Sequence, residues 1–136
     1  MQNNIDIFAA ENCSCTFGHG KKLVTAVDHV TFNIKDEEIV SLVGGSGCGK
    51  SVLAKIMLGI YHPTTGTFKY KGSPITNQRL HWREVQAVFQ DPFSCFNQFF
   101  TIRSQLKDSL NIFPDKPSAK EIDDIVDQAL LAVNVQ

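Results

Sequence analysis

A glycine-rich segment at residues 44–51 constrains the fold of this 136-residue chain more than any other feature. It reads Gly-Gly-Ser-Gly-Cys-Gly-Lys-Ser and directly follows residues 39–43, a short run that is β-branched and almost wholly apolar. Such a run is typical of a central parallel strand that is covered on both faces. Residues 52–60 come next and carry apolar side chains at helical spacing. The order of strand, glycine-rich turn and helix predicts an α/β fold.

The glycine-rich segment matches G-x-x-x-x-G-K-[ST], which is the P-loop pattern. Its glycines let successive backbone N–H groups converge on an anion, and the following helix adds its unpaired first-turn N–H groups. Lys50 would neutralise the β- and γ-phosphates of a nucleotide, and the Ser51 hydroxyl would bind Mg²⁺, which prefers hard oxygen ligands. A glycine-rich turn without a ligand is the alternative. The loop alone does not distinguish ATPases, GTPases, kinases and passive nucleotide binders.

Patterns in the rest of the chain predict both strands and helices. Strands are expected at 5–17, 26–34, 67–71 and 85–90, and helices at 77–84, 101–110 and after Ser118. Residues 91–100 are expected to form a loop rich in aromatic side chains, and residues 113–117 to form a linker. Ser118 and Glu121 have the spacing of a capping box, which marks the start of the last helix.

Charge and composition narrow the classes of partner and compartment. Thirteen Lys and Arg residues against fourteen Asp and Glu residues give a net charge of -1, so there is no electrostatic reason to expect nucleic-acid binding. No apolar run approaches the roughly 18–20 residues of a membrane span, and the N-terminus lacks a signal-peptide pattern, so a cytoplasmic location is expected. Cys13 and Cys15 are expected to be separate neutral thiols, with metal binding as the alternative. The four histidines show no ligand spacing and are expected at the surface.

Three segments resemble parts of ABC transporter ATPases. Residues 42–51 are similar to the Walker A segment, residues 26–34 to the strand before it, and residues 88–97 to the Q-loop of the oligopeptide, dipeptide and nickel importer branch. The resemblance implies an ABC-type nucleotide-binding domain with a P-loop NTPase fold, truncated to its N-terminal part. An antiparallel β subdomain and part of the P-loop core would occupy about residues 1–92. The Q-loop and the start of a helical subdomain would occupy about residues 93–136.

The same resemblance implies a site. The residues implied to hold ATP are Phe17, Gly44, Gly45, Ser46, Gly47, Cys48, Gly49, Lys50, Ser51 and Val52. Gln90 and Lys50 are implied to be catalytic, while Ser51 and Gln90 would approach Mg²⁺. A surface loop residue is the alternative for Gln90. Phe17 would stack on adenine, with an ordinary core aromatic at a strand end as its alternative.

The implied partners are transmembrane permease subunits and a second ATP-binding subunit. The assembly would lie on the inner face of the cell membrane, touch the membrane only through the permease, and drive uptake of peptides or a related small solute. Two alternatives are a small P-loop kinase and a non-catalytic interaction module. The module would use the cluster Phe93, Phe96, Phe99 and Phe100, which is expected either in the core or at a permease contact.

The sequence also departs from the family pattern. Glu37 stands where the family usually has Gly, Gln98 where the branch usually has Pro, and Val52 where a hydroxyl ordinarily helps to hold the α-phosphate. The signature motif, the Walker B carboxylates and the switch histidine have no match in the 136 residues. The chain is therefore expected to be a truncated domain that binds ATP without hydrolysing it.

Overall fold

The structure is a computed structural model that describes residues 6–20, 22–110 and 117–135. Its strands are β1 (Asp6–Phe17), β2 (Val24–Lys35), β3 (Thr65–Tyr70) and β4 (Ser73–Pro74), and its α-helices are α1 (Lys50–Met57), α2 (Gln78–Glu84), α3 (Ile102–Ser109) and α4 (Ala119–Ala132). A 3-10 turn spans Pro92–Cys95. The chain divides into two compact units, Met1–His81 and Trp82–Gln136. The sequence places a boundary near residue 92, between the subdomains that the family resemblance implies. That boundary stays a prediction.

The first unit is built on an antiparallel sheet with strand order β2-β1-β3-β4. β1 pairs with both β2 and β3, so its backbone hydrogen-bonding groups are used on both edges. The buried apolar side chains of the sheet are Phe8, Ala10, Cys13, Cys15, Val27 and Phe68. Leu53 and Ile56 of α1 are also buried, at the i, i+3 spacing that gives a helix one apolar face. The strands expected at 5–17, 26–34 and 67–71 are confirmed.

Two expected strands are not formed. Residues 39–43, before the glycine-rich loop, and residues 85–90, after α2, are irregular. Ile39, Val43 and Val88 are 98%, 89% and 100% exposed. A strand forms only when a neighbour accepts its backbone hydrogen bonds. Among the described residues, no strand pairs with either run. Both runs have an apolar pattern typical of a strand, but without a partner neither forms one.

The second unit contains α3 and α4. The capping box at the start of α4 is confirmed, because the Ser118 hydroxyl accepts from the Glu121 amide at 3.3 Å while the Glu121 carboxylate accepts from the Ser118 amide at 2.8 Å. The helix expected at 101–110 is also confirmed, with Thr101 as its N-cap. The expected linker at 113–117 lies outside the described residues except for Pro117. Within the described part of the chain, no helix is long and apolar enough to cross a membrane.

The expectation that all four histidines lie at the surface is wrong for His81, which is only 6% exposed. Its Nε2 lies 2.8 Å from the Met57 carbonyl oxygen at the end of α1, and its ring packs edge-on against Tyr70. The sequence did not reveal this position because a short polar helix gives no sign of which side chain faces the sheet.

Candidate functional site

The glycine-rich loop enters α1 through a backbone conformation that only glycine suits. Gly49 is the N-cap of α1 with φ 94°, and Gly47 also has a positive φ of 76°. A Cβ on Gly49 would lie 2.2 Å from the Ala26 carbonyl oxygen of β2, far inside van der Waals contact. Gly49 therefore serves two purposes: it turns the chain into the helix and it lets the loop rest on β2.

The N-terminus of α1 has the properties of an anion-binding helix end. Its first turn begins Lys50-Ser51-Val52, which contains no carboxylate to repel an anion, and its N-cap has no side chain to occupy the first N–H groups. The helix dipole places partial positive charge at the same end. Ser51 is exposed, whereas Lys50 and Val52 are partly buried. The helix is held in place by Leu53 and Ile56, which are buried on its other face.

Lys50 places its ammonium group inside the loop that precedes it. Nζ donates to the carbonyl oxygens of Gly44 at 2.7 Å and Gly45 at 2.6 Å, and it lies 3.5 Å from Cys48 Sγ. A Cβ on Gly44 would lie 2.7 Å from that sulfur atom, so the first glycine of the pattern makes room for Cys48. The loop thus closes around the Lys50 ammonium group. A phosphate carries formal negative charge, so it would bind this group more strongly than the two neutral carbonyl oxygens do.

Phe17 is placed by the pairing of β1 with β2, the strand on which the loop rests. It is the last residue of β1, pairs with Val24, and is 37% exposed. The register of β1 with β2 shifts between Cys15 and Thr16, which leaves Ala26 without a partner residue on β1. Because Gly49 rests on Ala26, Phe17 lies on the strand next to the one that supports the loop.

Gln90 lies in the second unit, just before the turn Pro92–Cys95, and is exposed. Lys50, Ser51 and Phe17 lie in the first unit. The joint role of Gln90 with Lys50 and Ser51 stays a prediction.

Four exposed aromatic rings follow Gln90 in the second unit. Phe93, Phe96, Phe99 and Phe100 are 85%, 47%, 83% and 59% exposed, so they do not form a core. Their backbone is nevertheless ordered by Gln105 of α3, whose side chain accepts from the Asn97 amide at 2.7 Å and donates to the Asn97 and Phe100 carbonyls at 3.0 and 3.1 Å. Asp91 orders the other end by accepting from the Phe93 amide at 3.0 Å. We call residues 93–100 the aromatic loop.

Comparison with known protein families identifies the glycine-rich loop at residues 44–51. Residues 27–136 match the model of the ABC transporter family. The chain belongs to the ABC transporter family. Its first unit therefore carries the Walker A loop of that family at residues 44–51.

Individual relatives of this ABC transporter chain come from the importer branch that the resemblance indicated. YkfD of Bacillus subtilis strain 168 is 37% identical over 88% of this chain and 38% of YkfD. The oligopeptide transport ATP-binding protein AppF of the same strain is 40% identical over 65% of this chain and 29% of AppF. The nickel import ATP-binding protein NikE of Escherichia coli K12 is 35% identical over 68% of this chain and 37% of NikE. The chain thus spans less than two fifths of the length of these relatives.

Solved structures give the same fold. The ATP-binding cassette MJ0796, in a dimeric post-hydrolysis state with ADP and Pi, matches 95% of this chain and 58% of its own with a TM-score of 0.77 at 21% identity. The cbiO1 protein of Clostridium perfringens, part of the ABC transporter complex cbiONQ, matches 97% of this chain and 52% of its own with a TM-score of 0.66 at 26% identity. The expected fold class, an ABC-type nucleotide-binding domain, is therefore confirmed.

The cysteines of this ABC transporter chain differ in their exposure. Cys13 and Cys15 are buried, and burial raises the pKa of both thiols, so they stay neutral at physiological pH and are poor metal ligands. No group of three potential metal-ligating residues occurs among the described residues. Cys48 and Cys95 are exposed.

Three supporting residues near the family motifs escaped the sequence patterns. Ala26 supports Gly49, Tyr61 contacts Phe17, and Gln105 orders the aromatic loop. Each contact joins residues from different elements, and a single sequence carries no signal for such a pair.

Proposed function

We propose that this chain is the ATP-binding portion of an importer ATPase that powers uptake of peptides or a related small solute. The observation that carries the proposal is the junction of the Walker A loop with α1, where the glycine N-cap leaves the first-turn N–H groups to a ligand and Lys50 Nζ lies among the loop carbonyls. The names of the relatives AppF and NikE support the solute class. The proposed location is the inner face of the cell membrane.

Each residue of the proposed site has a physical role. The loop N–H groups and the start of α1 hold the phosphates, and Lys50 exchanges its two carbonyl contacts for the β- and γ-phosphates. The exposed Ser51 hydroxyl fits a Mg²⁺ ligand, since it is a hard oxygen in the first turn next to Lys50. Mg²⁺ would supply charge neutralisation at the phosphates. Gln90 would approach the same ion, and Phe17 would stack on adenine.

The proposal includes binding without turnover. Phosphoryl transfer to water needs a carboxylate that holds the metal and a group that positions the water. The family resemblance places these groups in motifs that residues 1–136 do not contain. A second ATP-binding subunit and the permease would be the partners of the full ATPase.

The central test compares nucleotide binding by the purified chain with binding by Lys50→Ala. Isothermal titration with Mg-ATP should show binding to the wild type and at least about a tenfold loss in Lys50→Ala, because a charge-assisted contact is worth about 1.5–3 kcal/mol. Lys120→Ala removes the same charge from the second unit and should bind normally. Equal affinity in Lys50→Ala and the wild type would exclude the loop as the site. Phosphate release that disappears in Lys50→Ala would contradict binding without turnover.

Cys48 gives an independent readout of the same site. Because its thiol is exposed within the loop, ATP should slow its alkylation, while the exposed Cys95 of the second unit should react at an unchanged rate. Mass spectrometry of each labelled peptide measures the two rates. Equal protection of both thiols would point to a general effect of ATP on the chain rather than occupation of the loop.

The aromatic loop supports the permease as partner. A cluster of exposed aromatic rings on an ordered backbone has the composition of an interface core. Phe93→Ser with Phe99→Ser should abolish co-purification with the permease and leave ATP binding intact, whereas Leu131→Ser, at a 65% exposed position of α4, should have no effect. Co-purification with the permease that persists in Lys50→Ala and in the absence of nucleotide would favour the alternative of a non-catalytic interaction module.

A further inference from the structure

α1 ends in a Schellman motif that determines where Tyr61 lies. Gly59 has φ 68°, its amide donates to the Ile56 carbonyl at 2.9 Å, and the Ile60 amide donates to the Lys55 carbonyl at 2.9 Å. A Cβ on Gly59 would press on Ile75 and His81 at 3.3 and 3.4 Å, so the position suits glycine sterically as well. The chain therefore leaves the helix in a single defined direction.

Lys55 holds Tyr61 at both its backbone and its ring. The Lys55 carbonyl also accepts from the Tyr61 amide at 3.2 Å, and Lys55 Nζ lies 5.3 Å from the centre of the Tyr61 ring, within cation–π range. Both residues are partly buried. The backbone and the ring of Tyr61 thus both contact Lys55, whose carbonyl also accepts the Ile60 amide of the Schellman motif.

The segment after Tyr61 is fastened to the end of β1. The Thr64 amide donates to the Ser14 carbonyl at 2.7 Å, and the Thr16 amide donates to Thr64 Oγ1 at 2.9 Å. These bonds bring Tyr61 beside Phe17, the last residue of β1. The two ring centres are 5.0 Å apart with an interplanar angle of 66°, which is an edge-to-face pair.

We propose that Tyr61 is a positioning residue that fixes the Phe17 ring so that its open face can stack on the base of a bound nucleotide. The inference rests on the proposed function, because Phe17 has a base to receive only if the Walker A loop binds a nucleotide. Phe17 is exposed enough to rotate if it stood alone, and Tyr61 removes that freedom. A ring that is already ordered loses less conformational entropy when a ligand binds.

The test separates the base from the phosphates by titrating the purified chain with Mg-ATP and with magnesium tripolyphosphate. Tyr61→Leu should weaken ATP binding by about 2- to 13-fold, the range of an edge-to-face pair, and should leave tripolyphosphate binding unchanged. Tyr61→Phe keeps the ring and should bind ATP as the wild type does. In a Phe17→Ala background, Tyr61→Leu should cause no further loss of ATP affinity. Circular dichroism of each variant reports whether it is folded.

Several outcomes would overturn the inference. Equal losses for ATP and tripolyphosphate in Tyr61→Leu would show that Tyr61 only stabilises the fold. A full additional loss in the Phe17→Ala background would show that Tyr61 does not act through Phe17. Unfolding of Tyr61→Leu leaves Tyr61→Met as the second variant, and normal ATP affinity there despite loss of the aromatic ring would exclude the role. If the wild type binds neither ligand, the proposed function fails and this inference fails with it. Tripolyphosphate binding as tight as ATP binding would overturn this inference alone.

Discussion

At the level of single residues, the Walker A site depends on which residues adopt left-handed backbone conformations. Gly47 and Gly49 do so within the loop, where the absence of a Cβ removes the penalty. Glu37 does so as well, with φ 60°, in the turn between β2 and residues 39–43. A residue with a Cβ is strained in this conformation, so the turn that leads to the loop stores backbone strain that the loop itself avoids.

The strain at Glu37 predicts that Glu37→Gly stabilises the protein. The gain should be about 1 kcal/mol, the usual cost of a left-handed conformation for a residue with a Cβ. Thermal unfolding followed by circular dichroism measures the change. Glu37→Ala keeps the Cβ and should show no comparable gain, so it separates backbone strain from loss of the carboxylate. A larger gain in Glu37→Ala than in Glu37→Gly would show that charge, not strain, is the cause.

The sequence was sufficient for residues whose role is local. The glycine pattern predicted the loop, and Ser118 with Glu121 predicted a capping box. It was insufficient for Tyr61 and His81, because their partners lie in other elements and are reached only by folding. Periodicity reports which face of an element is apolar and does not report which residue of another element will meet it.

At the level of elements, α3 and α4 are joined by a ladder of ion pairs. Arg103 pairs with Asp127 and Lys107 pairs with Asp123, so the residues are four apart on each helix and the order is antiparallel. Residues four apart lie on one helix face, which lets two charges on one helix meet two on the other. The Lys107 hydrogen bond lowers the pKa of the Asp123 carboxyl, and Ser118 lowers that of Glu121.

The lowered pKa of Asp123 predicts a loss of helix pairing in acid. A carboxylate whose folded pKa is lowered stabilises the fold above its unfolded pKa of about 4, and this stabilisation is lost as the pH falls through the folded value. Carbon-detected NMR titration should place the Asp123 pKa below the usual range in the wild type and return it toward that range in Lys107→Gln. The double exchange Lys107→Asp with Asp123→Lys should restore the pairing. The effect on stability should be small, since all four side chains are substantially exposed. An Asp123 pKa that is unchanged in Lys107→Gln would contradict the pairing in solution.

At the level of the whole molecule, the described residues contain the antiparallel sheet of the ABC fold without a strand beside the run that leads to the Walker A loop. Residues 39–43 have the composition of a buried parallel strand, yet Ile39, Val40, Leu42 and Val43 are at least half exposed. The sequence pattern identified residues 39–43 as an apolar run. Whether this run pairs with a neighbouring strand could not be predicted, because pairing depends on residues outside the run. An apolar run without a neighbour leaves its backbone groups open to pairing with another chain.

The exposed run predicts that the purified chain self-associates. An unpaired, exposed apolar run offers both backbone hydrogen-bonding groups and side chains to a second copy, and such groups favour association between chains. Light scattering after gel filtration should show a mass that rises with protein concentration. Ile39→Lys with Val43→Lys should shift the chain toward the monomer, because two ammonium groups in register repel a second copy. Val133→Lys, at a 67% exposed position in the other unit, adds one charge away from the run and should leave association unchanged. A wild type that stays monomeric as its concentration is raised would mean that residues 39–43 are covered by the chain's own residues in solution.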